Sequence, residues 1–109
     1  MTTLYMESVA LASRIKTLQV QVMRRDVELG RRLRRGADEL PEHLSEAMCL
    51  TGRARRHELE AARRGLRELS ACLRAATGAG TLKERDVELE SGVEQLLARL
   101  DEQMALKTA

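Results

Sequence analysis

The chain is predicted to be all-α, an antiparallel up-down-up-down four-helix bundle. Three observations carry that expectation. Leu, Ala, Arg and Glu dominate the 109 residues, Phe and Trp are absent, and Tyr5 is the only aromatic side chain, a composition that suits helices far better than sheets. Apolar residues recur at spacings of three and four along four successive stretches, the mark of helices with one buried face. Only a few residues separate those stretches, and short joints between helices of several turns force sequential neighbours to run antiparallel.

Leu4, Ser8, Leu11, Ile15, Leu18 and Val22 form the first stripe, which predicts helix one from about Thr3 to Arg24. Asp26 is suited to start the next helix as an N-cap, because its carboxylate can accept a free amide of the first turn. Leu29, Leu33, Leu40, Leu44 and Ala47 carry that helix over about 26–50, and Thr51-Gly52 ends it with a residue suited to the left-handed cap. The most regular stripe, Leu59, Ala62, Leu66, Leu69, Leu73 and Ala76, predicts helix three over about 55–77, closed by Gly78-Ala-Gly80. Thr81-Leu-Lys-Glu84 fits a capping box, the Thr hydroxyl and the Glu carboxylate each satisfying a free amide. It opens helix four, whose stripe is Leu82, Leu89, Val93, Leu96/Leu97, Leu100 and Met104 and which reaches about Lys107. Residues 1–109 are expected to form one domain, since no Pro/Gly/Ser-rich linker divides them.

Helix two contains the only proline of the chain. Pro41 cannot donate to the carbonyl of Ala37 and its ring crowds that oxygen, a defect of about 3 kcal/mol in a regular helix. Gly36 and Ala37, one turn earlier, carry almost no side-chain bulk. A kinked turn and a neighbouring helix can therefore approach closely there while Leu33, Leu40 and Leu44 keep one face. A continuous helix kinked at Pro41 is the preferred expectation; the rival is two short helices, for which Leu40 would be a poor N-cap.

Seam positions are Leu and Ala with no large ring, and a fully buried Leu contributes roughly 1.5–3 kcal/mol whereas Ala contributes much less. So thin a core predicts further burial between subunits. Val9, Val20, Val27, Met48 and Cys72 lie off the main stripes and are available for it. Cys49 and Cys72 have no motif spacing and are expected to be small packed side chains rather than a bridge. No apolar run reaches about eighteen residues, and Met1-Thr-Thr-Leu-Tyr-Met-Glu lacks the basic start and apolar centre of a signal peptide. A cytoplasmic protein without a membrane partner is expected.

The net charge of +2 is unevenly spread: residues 1–76 hold 15 Lys/Arg against 10 Asp/Glu, and residues 77–109 hold 4 against 7. Lys occurs only at positions 16, 83 and 107, so the positive field is carried by guanidinium groups, whose planar fork of donors suits phosphate and carboxylate. A GC-rich coding sequence would favour arginine as well. Arg56, Arg63, Arg67 and Arg74 fall on one side of helix three, beside its buried stripe. Arg24, Arg31 and Arg35 are expected to point away from the core, with Arg25 and Arg32 on one flank of helix two and Arg34 on the other. A homo-oligomer that repeats Arg24, Arg31, Arg32, Arg35, Arg56, Arg63, Arg67 and Arg74 around a shared exterior would hold a phosphate backbone in a salt-dependent manner. Without aromatic platforms, stacking on single-stranded bases is not expected. The competing reading is that Glu28, Asp38, Glu60 and Glu68 neutralise these groups, leaving a solvated face or subunit salt bridges on a protein-binding or scaffolding bundle with no nucleic-acid role.

No catalytic constellation emerges, and no enzyme, cofactor or metal is expected. Glu39, Glu42, His43 and Glu46 supply half of a carboxylate-bridged metal site, but such sites need inward Glu-x-x-His pairs from two helices and no second pair occurs. His57 has no Ser or Cys nucleophile with an orienting acid near it in the pattern and is expected at the surface. Gly78-Ala-Gly80 is followed by acidic Glu84 and Asp86, so a helix C-cap explains it better than a phosphate-cradling loop.

Arg34-Arg-Gly-Ala-Asp-Glu-Leu-Pro-Glu-His-Leu-Ser-Glu-Ala47 resembles the Arg-Arg-Ala-Ala-x-Ser-Ile-Pro-x-Asn-Ile-Ala-Glu-Gly signature of the four-helix-bundle proteins encoded in intervening sequences of bacterial 23S ribosomal RNA genes, with the proline in register. Gly65-Leu-Arg-Glu-Leu-Ser-Ala-Cys-Leu-Arg-Ala-Ala76 and Gly80-Thr-Leu82 are similar to that family's Ser-Leu-Arg-Glu-Leu-x-x-x-Leu-x-x-Ala and Gly-Tyr-Leu elements. Leu29-Gly-Arg-Arg-Leu33 resembles the related accessory variability determinant of diversity-generating retroelements, which partners a reverse transcriptase. Glu39, His43, Ala47 and Thr81 stand where the signature has Ser, Asn, Gly and Tyr. The resemblance covers about residues 26–106 and implies a ring-like homopentamer with a basic, RNA- or DNA-binding surface, acting as a non-catalytic accessory to a reverse transcriptase.

Overall fold

The computed structural model describes residues 2–81 and 86–108, with side chains for 3–81 and 86–106. Four helices account for nearly all of them: α1 Thr2–Arg25, α2 Val27–Cys49, α3 Gly52–Gly78 and α4 Val87–Thr108. No strand occurs among the described residues. Each helix packs on the next, and α4 returns to α1, so the four close into a bundle 44 × 21 × 18 Å in extent. The pairings run antiparallel. Met23 lies against Gly30 and Lys16 is paired with Asp38; Arg32 meets Glu68 while His43 meets Glu58. On α4, Arg14 meets Asp86 and Glu7 meets Arg99, and Arg55 and Arg63 of α3 reach Gln103 and Asp101. In each of these four packed pairs, residue numbers fall along one helix as they rise along its neighbour.

The joints follow from a few residues. Asp26 alone separates α1 from α2: its N–H donates to Val22 O at 2.8 Å, and its Oδ1 accepts from Leu29 N at 3.0 Å. One residue thus closes the first helix and caps the second. So abrupt a reversal presses the helices together, and a Cβ added at Gly30 would lie 2.9 Å from Met23 Cα. Leu50 and Thr51 are extended, and Leu50 rather than Gly52 caps the end of α2; Gly52 does have a left-handed φ of +60, but as the first residue of α3. Helix three therefore begins earlier than the expected residue 55. It ends with Gly80 at φ +75, Gly80 N–H donating to Thr77 O at 3.2 Å and Thr81 N–H to Ala76 O at 3.0 Å, the paired bonds of a Schellman cap.

The start of α4 differs from the expectation. The Thr81 hydroxyl donates to Ala76 O at 2.9 Å and so belongs to the end of α3. Asp86 is the residue that caps α4, its Oδ1 accepting from Leu89 N at 3.0 Å. Leu82, Lys83 and Glu84 of the expected capping box lie outside the described residues.

Helix α2 runs without interruption through Pro41, so the two-helix alternative does not occur. The lack of bulk at Gly36 serves the close approach expected of it: a Cβ there would sit 2.7 Å from Leu69 Cδ2 of α3. A similar approach joins α4 to α1, where Gly92 faces Leu11.

One apolar cluster joins all four helices. Every described seam residue of α2, α3 and α4 is buried apart from Leu97, which, like Leu18 of α1, is half-buried. Among the described residues, the polar side chains of Ser8, Gln19 and Arg55 are buried as well. Cys72 is a packed side chain as expected, but it sits in the core at 2% exposure rather than off the seam, because α3 turns that flank toward α2. Cys49, expected to be a packed side chain, is exposed instead, and both thiols are free. Among the described residues no helix is long and apolar enough to cross a membrane.

Candidate nucleic-acid interface

The helices divide the eight candidate arginines into those with carboxylate partners and those without. Arg32 leaves the α2 group to cross the groove between α2 and α3, its Nη2 lying 3.3 Å from Glu68 Oε1. Arg56 pairs along its own helix with Glu60 at 3.2 Å. Arg63 reaches Asp101 of α4, with Nε 3.0 Å from Oδ1. The Arg63 N–H is not aligned for a hydrogen bond, so that contact is Coulombic and lacks directional strength. Arg24, Arg31, Arg35, Arg67 and Arg74 are exposed and have no ion-pair partner among the described residues.

The expected ladder on α3 is therefore interrupted, for a reason rooted in the uneven charge of the chain. Arg56, Arg63, Arg67 and Arg74 do share the flank beside the buried stripe, but that flank overlooks α4, the most acidic helix. Asp101 neutralises Arg63, and Arg74 lines a hollow of about 310 Å³ together with Glu90 and Glu94. Packing the acidic quarter of the chain against the basic one cancels much of the field that either would project. Of the neutralising carboxylates weighed from sequence, Glu60 acts as expected. Glu68 serves Arg32 on another helix, and Asp38 is held by Lys16 at 2.5 Å and more loosely by Arg34 at 4.0 Å.

Two exposed arginines missed in the sequence complete a better surface. Arg53 and Arg64 lie on the outward face of α3, and with Arg67 and Arg74 they make a stripe along its length. Glu60 is the one carboxylate within that stripe, and Arg56 already engages it. The signal was present as a three-four spacing through 53, 57, 60, 64, 67, 71 and 74 directly opposite the apolar seam, obscured by the regularity of the more conspicuous ladder. The first turn of α3 holds no acidic residue.

Arg55, also missed, does the opposite. It is 7% exposed, its Nη2 donates to Gln103 Oε1 at 3.4 Å, and its Nη1 has no partner among the described residues. His43 is half-buried with Nδ1 2.7 Å from Glu58 Oε2, whereas His57 is exposed. Among the described residues no group of three or more His, Cys, Asp and Glu side chains is placed to hold a metal ion. Burial pushes the Cys72 thiol pKa up; nearby Arg32 opposes that shift and Glu68 adds to it. Such a thiol is a poor nucleophile.

No family model, no curated protein and no solved structure matches this chain.

Proposed function

We propose that the chain is a non-catalytic, homo-oligomeric, cytoplasmic accessory protein that holds the sugar-phosphate backbone of RNA or DNA along the outward face of α3. The observation that supports this reading is the row Arg53, Arg64, Arg67 and Arg74, exposed and without carboxylate partners, with Arg24 as a further unpaired cation. Guanidinium groups in such a row exchange water for phosphate oxygens and release condensed counterions. Stacking of successive bases is not expected, since the face carries no Phe, Tyr or Trp and His57 is its single ring. The reverse transcriptase partner implied by the resemblance, together with a bend of α2 at Pro41, belongs to the same reading, which requires self-association but not the ring of five that the resemblance also implies.

Retention of a duplex and of a single strand at rising salt tests it. Three or four phosphate contacts give a slope of log affinity against log salt of about −3 for duplex DNA. The triple variant R64E/R67E/R74E should abolish retention with its helical signal intact. Absence of binding at low ionic strength, or a triple variant that binds like the parent, overturns the reading. A protein-binding scaffold is the second reading, and the ion pairs of Arg32, Arg56 and Arg63 favour it.

A further inference from the structure

The outward face of α2 is divided by charge. Its first half presents Arg31 and Arg35, and its second half presents Glu39, Glu42 and Glu46, all exposed and without ion-pair partners among the described residues. Within one chain this arrangement is unfavourable. Arg31 and Arg35 are one turn apart, as are Glu42 and Glu46, and Glu39 and Glu42 are three residues apart; these three like pairs outweigh the one attraction, between Arg35 and Glu39. Glu46 also stands in the last turn of α2, which holds no basic residue, where the negative end of the helix dipole disfavours a carboxylate. Segregating like with like thus costs the isolated chain stability.

Four of these five side chains, Arg31, Arg35, Glu42 and Glu46, are complementary to themselves under a two-fold rotation, while Glu39 lies beside its own copy near the axis. Laid antiparallel about an axis near residues 38 and 39, two copies bring Arg35 of each opposite Glu42 of the other, and Arg31 of each opposite Glu46. We propose that a second copy of this chain docks antiparallel along α2 through these reciprocal pairs. Two open hollows of about 450 and 490 Å³ flank the centre of this face and share Pro41 and Glu42 as common walls. They leave room for the Arg35 side chain of the incoming copy beside Glu42. At the two ends, the same register sets exposed Val27 near the exposed Met48 of the other copy, adding apolar contact to the charged centre. The interface is isologous and closes at two subunits. It leaves the α3 row outside the contact, so it adds to the nucleic-acid reading without resting on it.

Charge reversal tests the pairing. The variant R31E/R35E makes all four paired positions acidic and the variant E42R/E46R makes all four basic. Each substitution follows the α2 dipole, so both chains should keep the parental helical signal. By light scattering without nucleic acid, at about 100 µM where micromolar association is saturated, the parent should be a dimer that dissociates as salt rises. Each variant alone should be monomeric at that concentration, its self-association weakened about a thousandfold or more from a micromolar dissociation constant. An equimolar mixture should restore a heterodimer, since every pair is then opposite in sign. A monomeric parent, a parent that forms a ring of five, variants that still dimerise alone, or a mixture that stays monomeric overturns the proposal. The α3 variant R64E/R67E/R74E should remain dimeric, which separates this result from that of the nucleic-acid assay.

Discussion

Replacing Arg55 with Met should stabilise the protein. Arg55 is 7% exposed, its Nη1 is buried without a partner, and one long bond of 3.4 Å from Nη2 to Gln103 is the hydrogen bond the described residues return to the guanidinium. An unsatisfied buried donor costs about 1–3 kcal/mol, and more when it is charged. Its position near the start of α3, beside Arg53 and Arg56, places it at the positive end of the helix dipole as well. Methionine keeps most of the apolar stem and fills the irregular space without a charge. The balance favours Arg55→Met by about 1–3 kcal/mol, which at a slope of roughly 1.5 kcal/mol per molar urea moves the midpoint up by about 1–2 M. Far-UV circular dichroism suits the measurement, since the chain has no Trp and one Tyr. High salt and fixed protein concentration keep association from entering the result. A midpoint lowered by about 0.5 M or more would refute the reasoning, because it would mean that the guanidinium is satisfied in the folded protein.

Gly30→Ala should cost about 1–3 kcal/mol even though alanine gains nearly 1 kcal/mol of helix propensity, because the new methyl meets the Met23 backbone rather than a side chain that can rotate away; urea unfolding reads the difference. For Cys72, burial holds the folded thiol pKa above its ordinary 9.0. Between those two values the unfolded chain has lost a proton that the folded chain keeps, so stability should fall as pH rises above about 9, and Cys72→Ala should remove that part of the slope. Thiol labelling of the folded protein should accordingly modify Cys49 at once and reach Cys72 only through unfolding.

The helices themselves were legible because their determinants are local. Leu59 through Ala76 repeat with the period of one helix face whatever lies opposite, and Asp26 caps α2 with an amide three residues away. Thr81 shows where local reading fails: a hydroxyl between two helices can cap either end, and the Gly80 turn commits it to Ala76, leaving α4 to Asp86. Cys72 was misplaced for a similar reason, since its position at the margin of the seam becomes interior only when α2 covers that flank.

Sequence periodicity by itself determined four helices, their apolar faces and the antiparallel order that short joints impose, because each depends on residues within a turn or two of one another. Tertiary structure alone decided which cations remain available. Arg32 finds Glu68, and Arg63 finds Asp101, across 36 and 38 residues of chain, and Arg55 is enclosed by helices whose contact no local pattern encodes. Charge acts through space over several ångströms, so the partner of a guanidinium is chosen by how helices pack and not by what precedes it in the chain.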